Sequence, residues 1–185
     1  MNCGKSSPST APAKTRAFLS QHFSIVQRFV LRHTFGFGER PRGGGIEVLL
    51  QLRSPNKTNW PNYWDISAAG HLNVGETTLD AAVRETLEEI NLPIDRKKLY
   101  YIFSDHWFDK LYEEIRHVFL YQIDEEKEFN FNDGEVADLR WFSIDKLKEW
   151  VKNPEANSDK IVPEADWYYP QLFWHLERLV ARENS

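Results

Sequence analysis

Cysteine is almost missing from this chain of 185 residues, with Cys3 as its single example. One thiol excludes an intrachain disulfide and a cysteine-based zinc cluster. Its setting, "MNCGKSSPSTAPAKT", reads as a flexible, Pro/Ser-rich tail over residues 1–20. Long apolar runs are also missing. No stretch approaches the roughly 18–20 residues that cross a bilayer, and the first twenty residues lack a signal peptide's apolar segment, so a soluble, cytoplasmic chain is expected. Positive charge is not in excess either. The formal net charge is −5 and no basic tract is interleaved with aromatics, which argues against a nucleic-acid partner but not against a local basic pocket for a phosphorylated small molecule.

What is present is a hydrophobic content of 41% and a charged content of 28%, enough for one domain with a core of its own. "IVQRFVLRHTF" reads as extended, "ERPRGGG" as a turn and "IEVLLQLRS" as a strand running into the aromatic loop "SPNKTNWPNYW". "DISAAG", "KLYYIFS" and "EIRHVFLYQI" are further strands; "DGEVADLRWFS" is a turn followed by a short strand, and "IDKLKEWVKN" is a helix. Leu172, Phe173, Leu176, Leu179 and Val180 recur at helical spacing, predicting an amphipathic C-terminal helix over 166–185 that packs on a domain spanning 21–165. That helix could support a homodimer as easily as cap a monomer.

The chemistry concentrates in "GHLNVGETTLDAAVRETLEEINL", Gly70 to Leu92. A helix from about Thr77 to Asn91 places Leu79, Ala82, Val83, Thr86 and Ile90 on a buried face and gathers Glu85, Glu88 and Glu89 on another. Like charges so close are unfavourable unless a cation joins them, and Mg²⁺ or Mn²⁺ takes carboxylate oxygens while leaving room for water and phosphate. Arg84 stands beside the cluster to orient a carboxylate, Glu76 lies just before the helix, and Gly70 and Gly75 permit tight backbone geometry.

This spacing closely resembles the Nudix box, with Gly70, Glu76, Arg84, Glu85, Glu88, Glu89 and Leu92 at matching positions. Thr86 stands where an aliphatic residue is usual and Asn91 where the box ends in glycine. Thr86 can pack its methyl while its hydroxyl bonds to the preceding turn, and Asn91 tolerates a left-handed conformation. Over about residues 25–165 the chain resembles the branch containing isopentenyl-diphosphate isomerase and its hydrolytic relatives. The resemblance implies an α/β/α sandwich: a mixed β-sheet with the box helix and a C-terminal helix. It implies a divalent-metal-dependent pyrophosphohydrolase acting on a small nucleotide-like or other organic diphosphate, with Glu85, Glu88 and Glu89 as metal ligands, Arg84 in a supporting role and Gly70, Gly75 and Glu76 structural. Glu88, Glu89 and Glu135 are candidates for the proton acceptor.

Two alternatives stand beside hydrolysis. An allylic isomerase of this branch would use a cysteine where this chain has Ala69, and a second metal-binding glutamate where it has Tyr112; His71 and Glu114 match the isomerase pattern. A catalytically inactive diphosphate-binding protein is the other. Candidate substrate contacts are Arg28, Arg53 and Lys57 for phosphate, Trp60 and Tyr63 for a ring or chain, and His71 and Glu114. Trp64 reads more readily as core, and His106, Trp107 and Phe108 as an opposite wall.

Overall fold

Alternation of apolar and polar residues sets the strands, and three helical stripes cover them. The computed structural model describes residues 22–34, 45–108, 113–123, 128–131 and 134–183. Among these residues eight strands form one sheet: β1 (His22–Thr34), β2 (Gly45–Arg53), β3 (Tyr63–Asp65), β4 (Ala68–His71), β5 (Leu99–Phe108), β6 (Glu113–Gln122), β7 (Val136–Ser143) and β8 (Lys160–Ile161). Three helices accompany them: α1 (Thr78–Ile90), α2 (Ile144–Lys152) and α3 (Tyr168–Glu183). The main path runs β5-β6-β1-β2-β3-β8, with β4 paired to β1 and β7 to β2. The sheet is mixed, since β1/β6 and β3/β8 are parallel and the other pairs antiparallel.

Strand β1 changes partner part-way along. Ile25–Arg28 pair with β4 and Val30–Thr34 with β2, so the chain segment that delivers α1 is itself hydrogen-bonded into the sheet.

Each sheet face has its own core. Val48, Leu50, Val118 and Leu120 pack with Leu147 and Trp150 of α2 and with Tyr168, Leu172, Phe173 and Leu176 of α3. Leu49 and Tyr121 point the other way, towards Ile90 at the end of α1, while Phe119 meets Ala81 and Ala82. The result is the expected α/β/α sandwich. Fully buried side chains of this size each contribute roughly 1.5–3 kcal/mol, and Ile90 and Leu92, both essentially inaccessible, fix the end of α1.

Several boundaries differ from the sequence reading. The supposed loop "SPNKTNWPNYW" already enters β3 at Tyr63, and "DISAAG" divides into β3 and β4, with Ser67 between them turned inward to donate its hydroxyl to the Leu49 carbonyl (2.6 Å). Strand β5 runs on through His106 and Trp107, which therefore lie on a strand. The two-residue β8 has too little sequence for a period to show. The tail with Cys3, most of "ERPRGGG" and Tyr112 lie outside the described residues.

Candidate active site

Helix α1 begins and ends on side-chain chemistry. Thr77, with extended backbone, caps the helix by accepting from the Asp80 amide (3.2 Å). Asn91 adopts φ 52°, ψ 35°, and its amide and that of Leu92 return to the Leu87 and Thr86 carbonyls. The Thr86 hydroxyl donates to the Ala82 carbonyl at 2.7 Å, leaving its methyl in the core. Both departures from the box pattern are thus accommodated by local hydrogen bonding. Gly75, at φ +83°, makes the turn before the helix.

Arg84 is the centre of the acidic group. Its Nε and Nη2 donate to the two Glu76 oxygens (2.9 Å each), its Nη1 to Glu85 (2.6 Å) and Glu88 (2.9 Å), and its Nη2 also to the His71 carbonyl (2.9 Å). The guanidinium and, next, the Asn73 amide hold the Glu76 carboxyl down at about 2; bonding to Glu76, then to Glu85 and Glu88, raises Arg84 above its ordinary value. Gly70 lies directly beneath Glu85: a β-carbon there would stand 1.9 Å from the Glu85 carboxyl carbon. The glycine leaves the space that this carboxylate occupies.

The acidic cluster is not a single solvent face. Glu88 is exposed, with 57% of its side chain accessible, but Glu89 is buried. One Glu89 oxygen accepts from the Ala69 amide (3.1 Å) and from Gln51 Nε2 (3.4 Å), which is how a buried carboxylate is satisfied. The buried stripe is displaced accordingly: Ala81 is buried, whereas Leu79 and Val83 are only half-buried. Among the described residues no three acidic, histidine or cysteine groups converge on a point as an ion would require. Glu85 and Glu88 instead share the Arg84 guanidinium. Their donor chemistry, carboxylate oxygens throughout, fits Mg²⁺ or Mn²⁺.

The outer candidates fall in two sets. Lys57 Nζ meets Glu135 Oε2 at 2.7 Å, and the Ser54 amide donates to the Glu135 carbonyl (2.8 Å), so two loops carrying site candidates are tied together. Arg53 is paired with Asp65 (2.8 Å) and donates to the Asn59 carbonyl (3.1 Å). Trp60, at φ 52°, is exposed and lies 5.1 Å from the Tyr63 ring. Trp64 is core, edge-on to Phe142 at 4.9 Å. Strand register aligns His71 with Ile25, Arg116 and Asp105, with Glu114 one same-face position from Arg116. Arg28 pairs in β1 with Ala68 and Phe119; its side chain lies outside the described ones.

Two features escaped the sequence reading. Gln51, buried in β2, faces α1 and donates to Glu89; its alternation with Leu50 and Leu52 is the signal that could have placed it there. The other is a buried ionic group: Arg116 donates to Asp105 (2.9 Å) and to Glu164 (2.7 Å) and stacks on Tyr168 at 5.1 Å. Burial raises the Glu164 carboxyl to about 7 against the opposing pull of Arg116. These residues are distant in sequence and carry no joint motif.

The sequence profile of the NUDIX domain matches residues 36–165. An uncharacterised Nudix hydrolase of Listeria innocua is 37% identical over 102 residues, covering 55% of this chain and 59% of the relative. The isopentenyl-diphosphate Δ-isomerase of Paenarthrobacter aurescens is 31% identical over 133 residues, 68% of each chain. The chain thus spans about 59% of the length of the Listeria relatives it matches. In fold it is similar to the NUDIX domain of Shewanella oneidensis NrtR complexed with ADP ribose, with a TM-score of 0.60 at 11% identity over 84% of this chain and 88% of that one. No described helix is long and apolar enough to cross a membrane.

Proposed function

The chain belongs to the Nudix family, and from that premise we propose that it is a divalent-metal-dependent pyrophosphohydrolase of a small organic diphosphate. The observation that carries the reading is the Arg84 hub: one guanidinium joins Glu76, Glu85 and Glu88 while Gly70 leaves the space that Glu85 occupies. A helix that needed only solvation would not turn the Glu85 carboxylate inward against a strand glycine.

In this reading Glu85, Glu88 and Glu89 would hold the metal, whose chemistry there would be neutralisation of phosphate charge and acidification of water. Arg84 keeps Glu85 and Glu88 oriented, and the Ala69 amide does the same for Glu89. A carboxylate takes the proton from the attacking water, with Glu88, Glu89 and Glu135 as candidates. Lys57 and Arg53 neutralise diphosphate oxygens after exchanging their present carboxylate partners, and Trp60 with Tyr63 flanks the organic group.

Isomerisation is the second reading because of the isomerase relative. Against it stands Ala69, whose methyl packs against the α3-side core and has no proton to transfer at the position where the resemblance expects a cysteine. A panel of nucleotide sugars, dinucleotides, nucleoside diphosphates and triphosphates and prenyl diphosphates, incubated with Mg²⁺ or Mn²⁺ and read by product mass, separates the readings. Hydrolysis adds the mass of water to the products, isomerisation adds none, and Glu88→Gln should remove most turnover. Diphosphate binding without turnover of any panel member would leave the inactive binding protein instead.

A further inference from the structure

Away from the acidic helix, a cleft of about 360 Å³ opens between the sheet and α3. Tyr100 and Ile102 of β5 and Leu120 of β6 form one side; Trp174, His175 and Arg178 of α3 form the other. Its volume is within the range of about 300–1,000 Å³ typical of small-molecule sites. Leu120 belongs to the core beneath α3, whereas α1 packs against residues of the opposite face such as Phe119, so the cleft and the Arg84 hub occupy different sides of the sheet.

The electrostatics of Arg178 set it apart. The other described arginine side chains all meet carboxylates: Arg53 with Asp65, Arg84 with three glutamates, Arg96 with Asp80, Arg116 with Asp105 and Glu164, and Arg140 with Asp138. Among the described residues Arg178 has no carboxylate partner, and its guanidinium lies 4.7 Å from the centre of the Trp174 ring. Stacking on an indole restrains the guanidinium while leaving its N–H edge available for a fork of hydrogen bonds to an anion. Tyr100 and Trp174 are both about half exposed beside it, so aromatic surface and the guanidinium are open to the same cleft. His175 packs edge-on against Trp174 (4.8 Å) and near Phe103 (6.1 Å); burial, with Arg178 adjacent, favours its neutral form. A neutral imidazole adds polarity without a second charge.

We propose that this cleft binds a planar aromatic ring carrying one anionic group, with the ring against Tyr100 and Trp174 and the anion on Arg178. The ring supplies apolar contact and the single guanidinium sets the charge. The same chemistry occurs in nucleoside monophosphates and in aromatic carboxylates, and both enter the test.

Titrations of the full chain with AMP, 1-naphthoate, their uncharged counterparts adenosine and naphthalene methanol, and inorganic phosphate can be followed by the Trp174 indole N–H signal in NMR. That signal is assigned by its loss in Trp174→Phe. At least one ring anion should shift it at millimolar concentration or below, and bind about tenfold more tightly than its uncharged counterpart, as one charge-assisted hydrogen-bonding site implies. Arg178→Gln should remove that advantage with an unchanged circular dichroism spectrum, and Arg178→Lys should restore only part of it, because lysine keeps the charge but not the fork. Whether AMP or 1-naphthoate shows the effect identifies the source. Silence of the Trp174 signal towards both ring anions overturns the proposal, as does equal affinity for the uncharged rings or binding that Arg178→Gln leaves intact. The readout lies on α3, so loss of turnover at the acidic helix would not alter it.

Discussion

Replacing Gly70 by alanine tests how the acidic group is built. Gly70 does not have a positive φ, so alanine adds volume and no backbone strain. The added β-carbon would stand 1.9 Å from the Glu85 carboxyl carbon, where ordinary contact begins at 3.4 Å, so the carboxylate must retreat by about 1.5 Å. It is the free end of a flexible side chain and can do so, giving up the 2.6 Å bond to Arg84. That loss is about 1.5–3 kcal/mol for a charge-assisted hydrogen bond, offset by about 0.5–1 kcal/mol from replacing glycine within a strand. The melting temperature should therefore fall by no more than about 10 °C, taking 2–4 °C per kcal/mol for a chain of this size. Function should suffer far more, since about 1 Å of misplacement at a reacting centre can cost on the order of 10²-fold. Turnover of whichever diphosphate the panel identifies, with Mn²⁺ affinity measured by calorimetry, reads the effect. A Gly70→Ala protein with wild-type turnover and Mn²⁺ affinity would refute the steric reasoning; a collapse of the melting temperature would show that the glycine serves folding.

Glu89→Gln should fold nearly as well as the parent, because an amide oxygen can still accept from the Ala69 amide, yet bind Mn²⁺ at least tenfold more weakly; Glu89→Ala should in addition lose about 1–3 kcal/mol in urea unfolding by stranding that amide. Thr86→Val keeps the buried shape and removes the hydroxyl bond to Ala82, so its stability should stay within about 1.5 kcal/mol of the parent, and a larger loss would mean that the hydroxyl has a role beyond the helix. Glu164, raised from 4.5 to about 7 by burial, favours folding in its protonated form. Its contribution is complete below about pH 4.5 and is lost as pH rises through 7, a difference of roughly 3 kcal/mol. Urea midpoints measured between pH 5 and 8 should accordingly fall with pH more steeply in the parent than in Glu164→Gln, and parallel profiles would contradict this.

Local patterns carried much of this architecture in the sequence. The α1 limits were legible to a residue because Thr77 and Asn91 are capping residues with their own hydrogen bonds, and α2 was legible from "IDKLKEWVKN" and Ser143, which caps it. Strand β7 followed from "DGEV", where Gly134 turns at φ +80°. What was not legible depends on pairing across the sheet. Glu89 sits only slightly round the helix from the buried stripe, and its burial follows from β4 presenting the Ala69 amide, which no helical period reveals. The Lys57–Glu135 pair joins residues 78 apart, and the Asp105–Arg116–Glu164 group requires the β5/β6 register to be known first. Candidate residues were thus identifiable by type, and Arg84 by the carboxylates beside it on the helix, while partners supplied from other strands and loops were not.

All five N–H donors of Arg84 are engaged, two on Glu76 and one each on Glu85, Glu88 and the His71 carbonyl. A lysine, with three donors radiating from one nitrogen, cannot reach acceptors spread around a planar fork. Position 84 therefore has no charge-conserving neighbour in sequence space. A lineage that drifts there meets three carboxylates without a common counter-ion, whereas the aromatic loop around Trp60 can change and leave the hub untouched. The aromatic rim and the acidic group are consequently separable as evolving characters, one free to vary and the other held by a single side chain.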